Sequence, residues 1–203
     1  MRQVFEHSVK SRLFGLRALH GGHGGPIQAV AECWQGYCCV CAGALQRGQA
    51  VRIKGVGTVF PLGTQGQYSS TLSCFDQAFL RKCQLNPSKS LPVHQTKSQG
   101  THQIANAEVS QWCALPPGVC GQVIEAVISS ACDMLQSGDI DQISMRPLGS
   151  LVVGRQRQAI FRPAHELFSA RQMHPDDVGE SMWTPHESGE QHPRADGHRY
   201  ITM

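Results

Sequence analysis

The glycine-rich stretch GQAVRIKGVGTVF, from Gly48 to Phe60, is the first part of the chain whose residue types could bind a ligand. A dinucleotide-binding loop needs a third glycine that opens a helix, and a Walker A loop needs Gly-Lys followed by Ser or Thr. Here Gly55 and Gly57 are followed by Thr58-Val59-Phe60-Pro61, a sequence that favours a strand. The stretch is therefore predicted to be a β-hairpin whose glycines allow positive φ at the turn.

Histidine and cysteine spacing offers a second kind of chemistry, because His20-x-x-His23 precedes Cys38-x-x-Cys41. Such pairs are similar in spacing to the ligands of a structural zinc site, here in reversed order. Both cysteines, however, fall in the middle of a predicted helix, where small thiols pack into a core. The two histidines lie in a glycine-rich loop. We therefore predict no metal site and no bound cofactor.

Composition alone does not indicate an enzyme, because ten histidines and nine cysteines make chance pairs of nucleophile and base inevitable. No G-x-S-x-G nucleophile elbow occurs. Glu125 and Asp133 fall on the solvated side of a predicted helix rather than together at strand ends. The odd number of cysteines, set within apolar runs, is typical of a reduced, intracellular protein. We predict a chain with no catalytic and no cofactor-binding residues.

Basic residues alternate on two predicted strands, Arg52 with Lys54 and Arg155 with Arg157, and Arg162 follows the second pair. Such residues can contact the phosphates of a nucleic acid, contact an acidic protein, or keep strand edges solvated. The net charge of +3 is small for a chain that binds nucleic acid. An acidic protein partner is therefore favoured, with Arg155, Arg157 and Arg162 as the predicted contacts.

The elements that must position these residues begin with a basic N-terminal segment of about 20 residues. It fits either a mitochondrial transit peptide or an amphipathic first helix, and we favour the helix. The apolar face of that helix would consist of Val4, Phe5, Val9, Leu13 and Leu16. No apolar run approaches the roughly 20 residues that span a bilayer, so no membrane partner is expected.

Apolar periodicity predicts two long helices, over residues 27–45 and 119–135, each followed by short strands and a short helix. The strands are predicted near 50–54, 58–62 and 68–72, and near 140–145, 148–153 and 156–161. The short helices are predicted at 74–83 and from Pro163. This order divides the chain into an N-terminal helix and glycine-rich linker (1–26), a first module (27–85), a polar linker (86–103), a second module (104–170) and a tail (171–203).

The two halves repeat the same order of elements. Val56-Gly57-Thr58 corresponds to Leu148-Gly149-Ser150, and Phe75-x-x-Ala78 corresponds to Phe161-x-x-Ala164. A third correspondence, between Leu45-Gln46-x-Gly48 and Leu135-Gln136-x-Gly138, marks the end of each long helix. The halves are therefore predicted to be two copies of one small module.

A long helix followed by Gly-Gln-x-Val-x-x-x-Gly-x-Gly-Thr, from Gly48, resembles the HU/IHF family of histone-like proteins, as does Phe161-Arg162-Pro163-Ala164. Two such modules in one chain look most like the eukaryotic HU-like domains of the ciliary coiled-coil-domain-containing protein family. The resemblance implies an α+β fold of two modules and an extended polar C-terminal tail. Each module would contain a long helix, a three-stranded antiparallel hairpin sheet and a short C-terminal helix.

The chain departs from this family at the DNA-binding device. Bacterial members carry a long basic β-arm whose proline wedges into the minor groove. Here residues 61–70 stand in that place without Lys or Arg, and the second module has only Gly154-Arg155-Gln156-Arg157. Because HU-type proteins form intertwined dimers, the resemblance also suggests that the two modules pair within the chain. That pairing would bury the apolar faces of 27–45 and 119–135 together.

The resemblance implies a non-enzymatic structural protein of the ciliary or flagellar axoneme, in the cytoplasm and cytoskeleton, such as a microtubule inner protein. Its partners would be tubulin of the doublet microtubule or other axonemal proteins. The tail from Arg171 would bind as an extended segment, with Trp183 and Tyr200 as anchors. Two other classes remain open: a DNA- or RNA-binding architectural protein, nuclear or organellar, and a ribonucleoprotein subunit. Nucleic acid is the less favoured partner.

Overall fold

Helix α1, Arg2–Ser11, packs one face against the rest of the protein. Val4 and Phe5 are buried on that face, and the Ser8 hydroxyl lies 2.7 Å from the Val4 carbonyl oxygen and 3.5 Å from that of Ala126. Val4 and Phe5 therefore lie on the apolar face that the sequence predicts, but α1 ends at Ser11, before the predicted face residues Leu13 and Leu16. The structure is a computed structural model, and the residues it describes are 1–13, 15–16, 19, 25–64, 67–87 and 101–168.

Two long helices and eight strands follow among the described residues. The remaining helices are α2 (Gly25–Gln46), α3 (Gln77–Lys82), α4 (Asn106–Ser110) and α5 (Pro117–Ser137). The strands are β1 (Ala50–Ile53), β2 (Gly57–Thr64), β3 (Gln67–Phe75), β4 (Asn86–Pro87), β5 (Thr101–Gln103), β6 (Gln142–Met145), β7 (Gly149–Val153) and β8 (Gln158–Pro163). Short 3-10 turns lie at Arg155–Arg157 and His165–Phe168. Helices α2 and α5 contain the two segments for which apolar periodicity predicts long helices.

The strands form two four-stranded sheets, in the orders β3-β2-β1-β5 and β4-β8-β7-β6. In the first sheet β1, β2 and β3 are antiparallel neighbours, with Val51 opposite Val59 and Val59 opposite Ser73. In the second sheet β6, β7 and β8 are antiparallel, with Leu151 opposite Phe161. The predicted mixed α+β architecture is confirmed.

The fourth strand of each sheet comes from the other half of the chain. Strand β4, which follows the first half, pairs in parallel with β8, and Asn86 lies opposite Gln158. Strand β5, which precedes the second half, pairs in parallel with β1, and His102 lies opposite Val51. The sequence predicts a polar linker over 86–103 and gives no sign of these strands, because pairing at a sheet edge uses main-chain groups that every non-proline residue carries. The exchange interlocks the two halves.

One hydrophobic core extends through both halves of the described chain. Helix α2 contributes the buried Trp34, whose indole nitrogen donates a hydrogen bond of 3.1 Å to the Ser144 carbonyl oxygen on β6. The hydroxyl of Tyr37, also on α2, accepts a 2.9 Å hydrogen bond from the Lys54 amide. Cys33 of α2 and Cys120 of α5 are both fully buried in the same core. The apolar faces of the two long helices are therefore buried in a common interior.

Helix α5 is long and apolar enough to cross a membrane, judged by length and composition alone. Most of its apolar stretch is nevertheless buried against other parts of the fold, including Val123, Val127 and Leu135. Burial of this extent is typical of a long helix in a protein core.

The internal repeat is visible in matching main-chain contacts. The Asp76 amide donates to the Val56 carbonyl oxygen at 2.9 Å, and the Ala164 amide donates to that of Leu148 at 3.2 Å. Gly48 and Gly138, which follow the two long helices, have φ values of 79° and 83°. Glycine adopts this left-handed conformation without steric cost, which explains its place at both helix ends.

The predicted boundaries at the end of each half were partly wrong. Phe75 lies opposite Gly57 in β3, whereas Phe161 lies opposite Leu151 in β8, so the two phenylalanines are not equivalent positions. The short helix expected over 74–83 starts only at Gln77, because strand pairing extends through Phe75. Pro163 likewise completes β8, and a 3-10 turn takes the place of the helix expected there.

Candidate protein-binding surface

The β2–β3 hairpin extends beyond the rest of its sheet. Strand β1 pairs with β2 only at residues 57–59, whereas β2 continues to pair with β3 up to Thr64 opposite Gln67. Residues 60–64 and 67–72 therefore form a two-stranded projection, which we call the β-arm. A register shift between Leu62 and Gly63 interrupts its ladder, and such bulges twist and bend a hairpin. The second half has no equivalent, because β7 and β8 are joined directly by the turn at Arg155–Arg157.

The β-arm carries no charge. Residues 57–75 contain no Lys, Arg, Asp or Glu. Leu62 is 37% exposed, one of two large apolar side chains with substantial exposure among the described residues. Strand β3 is also an edge strand of its sheet. Edge strands of soluble proteins are usually guarded by charged residues or proline. Strand β3 carries neither, so its edge, next to the exposed Leu62 of β2, suits the binding of another polypeptide.

Arg157, one of the predicted partner contacts, is bound to the main chain of its own fold. Its Nε donates to the Gln84 carbonyl oxygen at 2.9 Å, and its Nη2 donates to those of Cys83 and Leu135 at 3.0 and 2.8 Å. These carbonyls lie at the ends of α3 and α5, where helix geometry leaves acceptors without partners. Arg157 itself has φ of 55°. The guanidinium therefore joins two helix ends to the turn before β8.

The structure does not bring the other predicted arginines together. Arg155 lies in the turn before β8, and Arg162 lies near the end of that strand, opposite Ser150; both are exposed. Between Gln158 and Arg162 alone the strand covers roughly 13 Å. The predicted anchors Trp183 and Tyr200 lie outside the described residues.

The basic residues of β1 and its turn have acidic partners within the chain. Arg52 forms an ion pair of 2.6 Å with Asp76, and Lys54 forms one of 2.6 Å with Glu125 on α5. Both pairs are partly solvent-exposed, so each contributes little to stability. They do partly neutralise the residues that the sequence offers as phosphate contacts. Glu125 of α5 therefore lies beside a lysine.

The cysteines of the predicted zinc-like spacing, Cys38 and Cys41, are fully buried on α2. Burial raises the pKa of both thiols well above the ordinary value, which favours the neutral form over the thiolate that binds metals. Burial also raises the pKa of the neighbouring Tyr37 hydroxyl. His20 and His23 lie outside the described residues. The two thiols pack in the core, as their position in the helix predicts.

A different set of thiols is brought together by the fold. The sulfur atoms of Cys33, Cys113 and Cys120 all lie within 4.8 Å of one another. They come from α2, from the segment between α4 and α5, and from the first turns of α5. Only the short interval between Cys113 and Cys120 is visible in the sequence. The third member depends on how α2 packs on α5, which the sequence does not specify.

An open groove of about 630 Å³ lies between α1 and α5, lined in part by Arg12, Leu16 and Glu125. Its arginine is already paired with Asp133 at 2.5 Å. No cysteine or histidine lines it among the described residues. Ser129 also lines the groove and accepts a hydrogen bond of 2.6 Å from the side-chain nitrogen of Lys82.

No protein-family model matches the chain, and no curated protein matches it. The HU-like interpretation therefore rests on the motifs of the sequence and remains a prediction.

Proposed function

We propose that this chain is a non-enzymatic structural protein that binds other proteins in the ciliary or flagellar axoneme, through two HU-like modules paired within one chain. Its partners would be tubulin of the doublet microtubule or proteins associated with it. The observation that carries the protein-binding part of the proposal is the uncharged β-arm on an interlocked core. The axonemal location rests on the family resemblance of the sequence.

The chemistry of the β-arm favours protein over nucleic acid. Binding to a nucleic acid backbone releases counterions in proportion to the phosphates that Lys and Arg neutralise. The β-arm and the rest of β2 and β3, residues 57–75, contain no Lys or Arg and supply none of that free energy. An extended partner segment could instead pair with the edge of β3 that has no neighbouring strand, through main-chain hydrogen bonds, with Leu62 providing an apolar contact.

The shared core supports a role as a rigid platform. Each half donates a strand to the sheet of the other, and α2 and α5 are buried in one interior. Such exchange resembles the intertwined association of HU-type proteins, here within a single chain. A base of this kind loses little conformational entropy when a partner binds.

Nucleic-acid binding is the competing function, and Arg155 and Arg162 are the exposed residues that would serve it. The two proposals differ in location and in salt dependence. We expect the fluorescently tagged chain to label the full length of cilia and to remain on axonemes after detergent extraction. We expect no salt-dependent shift of duplex DNA or RNA in a gel with purified protein.

Labelling confined to the nucleus or an organelle, together with tight and salt-sensitive nucleic acid binding, would overturn the proposal in favour of an architectural protein. Co-sedimentation with ribonucleoprotein particles that is lost after ribonuclease treatment would instead indicate the third class. Axonemal retention that survives nuclease treatment supports the structural role.

A further inference from the structure

The cluster of Cys33, Cys113 and Cys120 has the dimensions of a small metal site. The Cys113 and Cys120 sulfurs are 3.6 Å apart, and no pair in the cluster exceeds 4.8 Å. An ion about 2.3 Å from each of three sulfurs in a trigonal plane places those sulfurs about 4.0 Å apart. The observed spacings, 3.6 Å for one pair and no more than 4.8 Å for the other two, are compatible with this distance.

We propose that Cys33, Cys113 and Cys120 bind one thiophilic d10 metal ion, and that the three-sulfur set favours Cu(I) over Zn(II). Thiolates are soft ligands that select copper(I) and zinc among biological cations. Structural Zn(II) almost always takes four protein ligands. In the described part of the chain no histidine, aspartate or glutamate atom joins the three sulfurs. Three-coordinate Cu(I) needs no further ligand, whereas Zn(II) would have to add a water molecule.

The surroundings of the cluster suit both capture and retention of an ion. Cys33 and Cys120 are fully buried, whereas Cys113 is half-buried and gives access from solvent. As the metal–sulfur bonds form, all three thiols release their protons to solvent, because only the thiolate is a strong ligand.

An ion at this position would join two separate parts of the chain. Cys33 lies on α2, and the other two ligands lie at the start of α5 and just before it. The bonds would fix the packing of α4 and α5 on α2, and a ligand that binds only the folded protein raises its stability. Metal binding can therefore be measured through the stability of the protein, independently of axonemal or nucleic acid binding.

The test uses the reduced full-length chain under anaerobic conditions, titrated with Cu(I) against a chromogenic Cu(I) chelator, and separately with Zn(II). We expect one equivalent of Cu(I) to bind and to raise the unfolding temperature. Loss of a ligand in Cys113→Ser or Cys33→Ala should weaken binding by more than about 100-fold, beyond the effect of changing an outer-shell partner. Cys74→Ser, a change at another half-buried thiol outside the cluster, should bind like the wild type.

Circular dichroism of each metal-free variant shows whether it has folded. Cys113→Ser changes the half-buried ligand, so it should fold even where Cys33→Ala, in the core, does not. The proposal is overturned if neither ion binds with one-to-one stoichiometry, or if binding persists in folded Cys113→Ser. Tighter binding of Zn(II) than of Cu(I) through the same cysteines would overturn the preference for Cu(I).

Discussion

Gly57 and Gly149 occupy the same position in the two sheets. Each begins the second strand of an antiparallel hairpin, opposite Phe75 in one case and Pro163 in the other. At each glycine an added Cβ would lie 2.3 Å from a carbonyl oxygen of the facing strand, that of Cys74 or Arg162. The two halves thus share a close approach of main chains, which only a residue without a side chain permits.

Alanine at either glycine should therefore destabilise the fold by a similar amount. The added Cβ must push two hydrogen-bonded strands apart, and φ values of 156° and 150° are unfavourable for alanine. We expect Gly57→Ala and Gly149→Ala each to lower the free energy of unfolding by about 2–4 kcal/mol, in the range of the larger single-residue effects. Urea denaturation measures the change.

Gly118 is the matched control for this pair. It lies in the first turn of α5, where an added Cβ meets no atom within 4 Å. Gly118→Ala should leave stability unchanged or raise it by up to about 1 kcal/mol. Equal stability of all three alanine variants would show that the close approach of main chains at Gly57 and Gly149 does not contribute to stability.

Arg157 should contribute to stability through its three carbonyl contacts. Removing it leaves the acceptors of Cys83, Gln84 and Leu135 without this donor. Hydrogen bonds to charged groups contribute about 1.5–3 kcal/mol, and solvent can replace part of this at a half-buried site. We expect Arg157→Ala to lower the free energy of unfolding by about 2 kcal/mol and Arg157→Lys to restore less than half, because an ammonium lacks the planar fork.

Arg155→Ala provides the comparison, because Arg155 is exposed in the same turn. Its stability in urea should match the wild type within about 0.5 kcal/mol. Equal stability of the two alanine variants would show that the carbonyl contacts of Arg157 are energetically unimportant.

Alkaline pH should destabilise the protein through the buried groups of α2. Burial raises the pKa of Tyr37, Cys38 and Cys41 above ordinary values of 10.0 for tyrosine and 9.0 for cysteine. At a pH between the unfolded and folded pKa of a group, the folded chain keeps the proton and the unfolded chain has lost it. The free energy of unfolding is therefore at its full value below about pH 9 and falls as the pH rises. Each group adds a slope of about −1.4 kcal/mol per pH unit.

Urea denaturation at a series of pH values measures this slope. Tyr37→Phe removes one titrating group, so its stability should fall less steeply than that of the wild type above about pH 10. It also loses the hydrogen bond from the Lys54 amide, which shifts stability by a constant amount at every pH. A wild-type free energy of unfolding that stays flat through this range would contradict the assignment.

The sequence predicts the elements whose signals are local. Apolar residues at helical spacing give α2 and α5, and Gly55 and Gly57 give the first hairpin. Strands β4 and β5 carry no such signal, because they are short, polar and paired in parallel with distant partners. Their place is decided by the association of the two halves.

In the candidate sites, too, the sequence predicts local features but not those that depend on packing between distant segments. Arg157 is prominent in the sequence as a charge, but its capping role depends on the ends of α3 and α5 meeting near one turn. The cluster of Cys33 with Cys113 and Cys120 depends on the packing of α2 against α5. Such registers are set by side-chain fit across a core, which residue spacing along one helix does not determine.

The β-arm can be tested with a pair of variants matched in chemistry. Leu62 on the arm is 37% exposed and Ile27 on α2 is 36% exposed. Lysine at either position should change stability by less than about 0.5 kcal/mol. If the arm contacts a partner, Leu62→Lys buries an unpaired charge in that interface and should reduce binding at least tenfold, whereas Ile27→Lys should not. The fraction of tagged chain that sediments with detergent-extracted axonemes gives the measurement, and equal retention of both variants would exclude the arm as the binding surface.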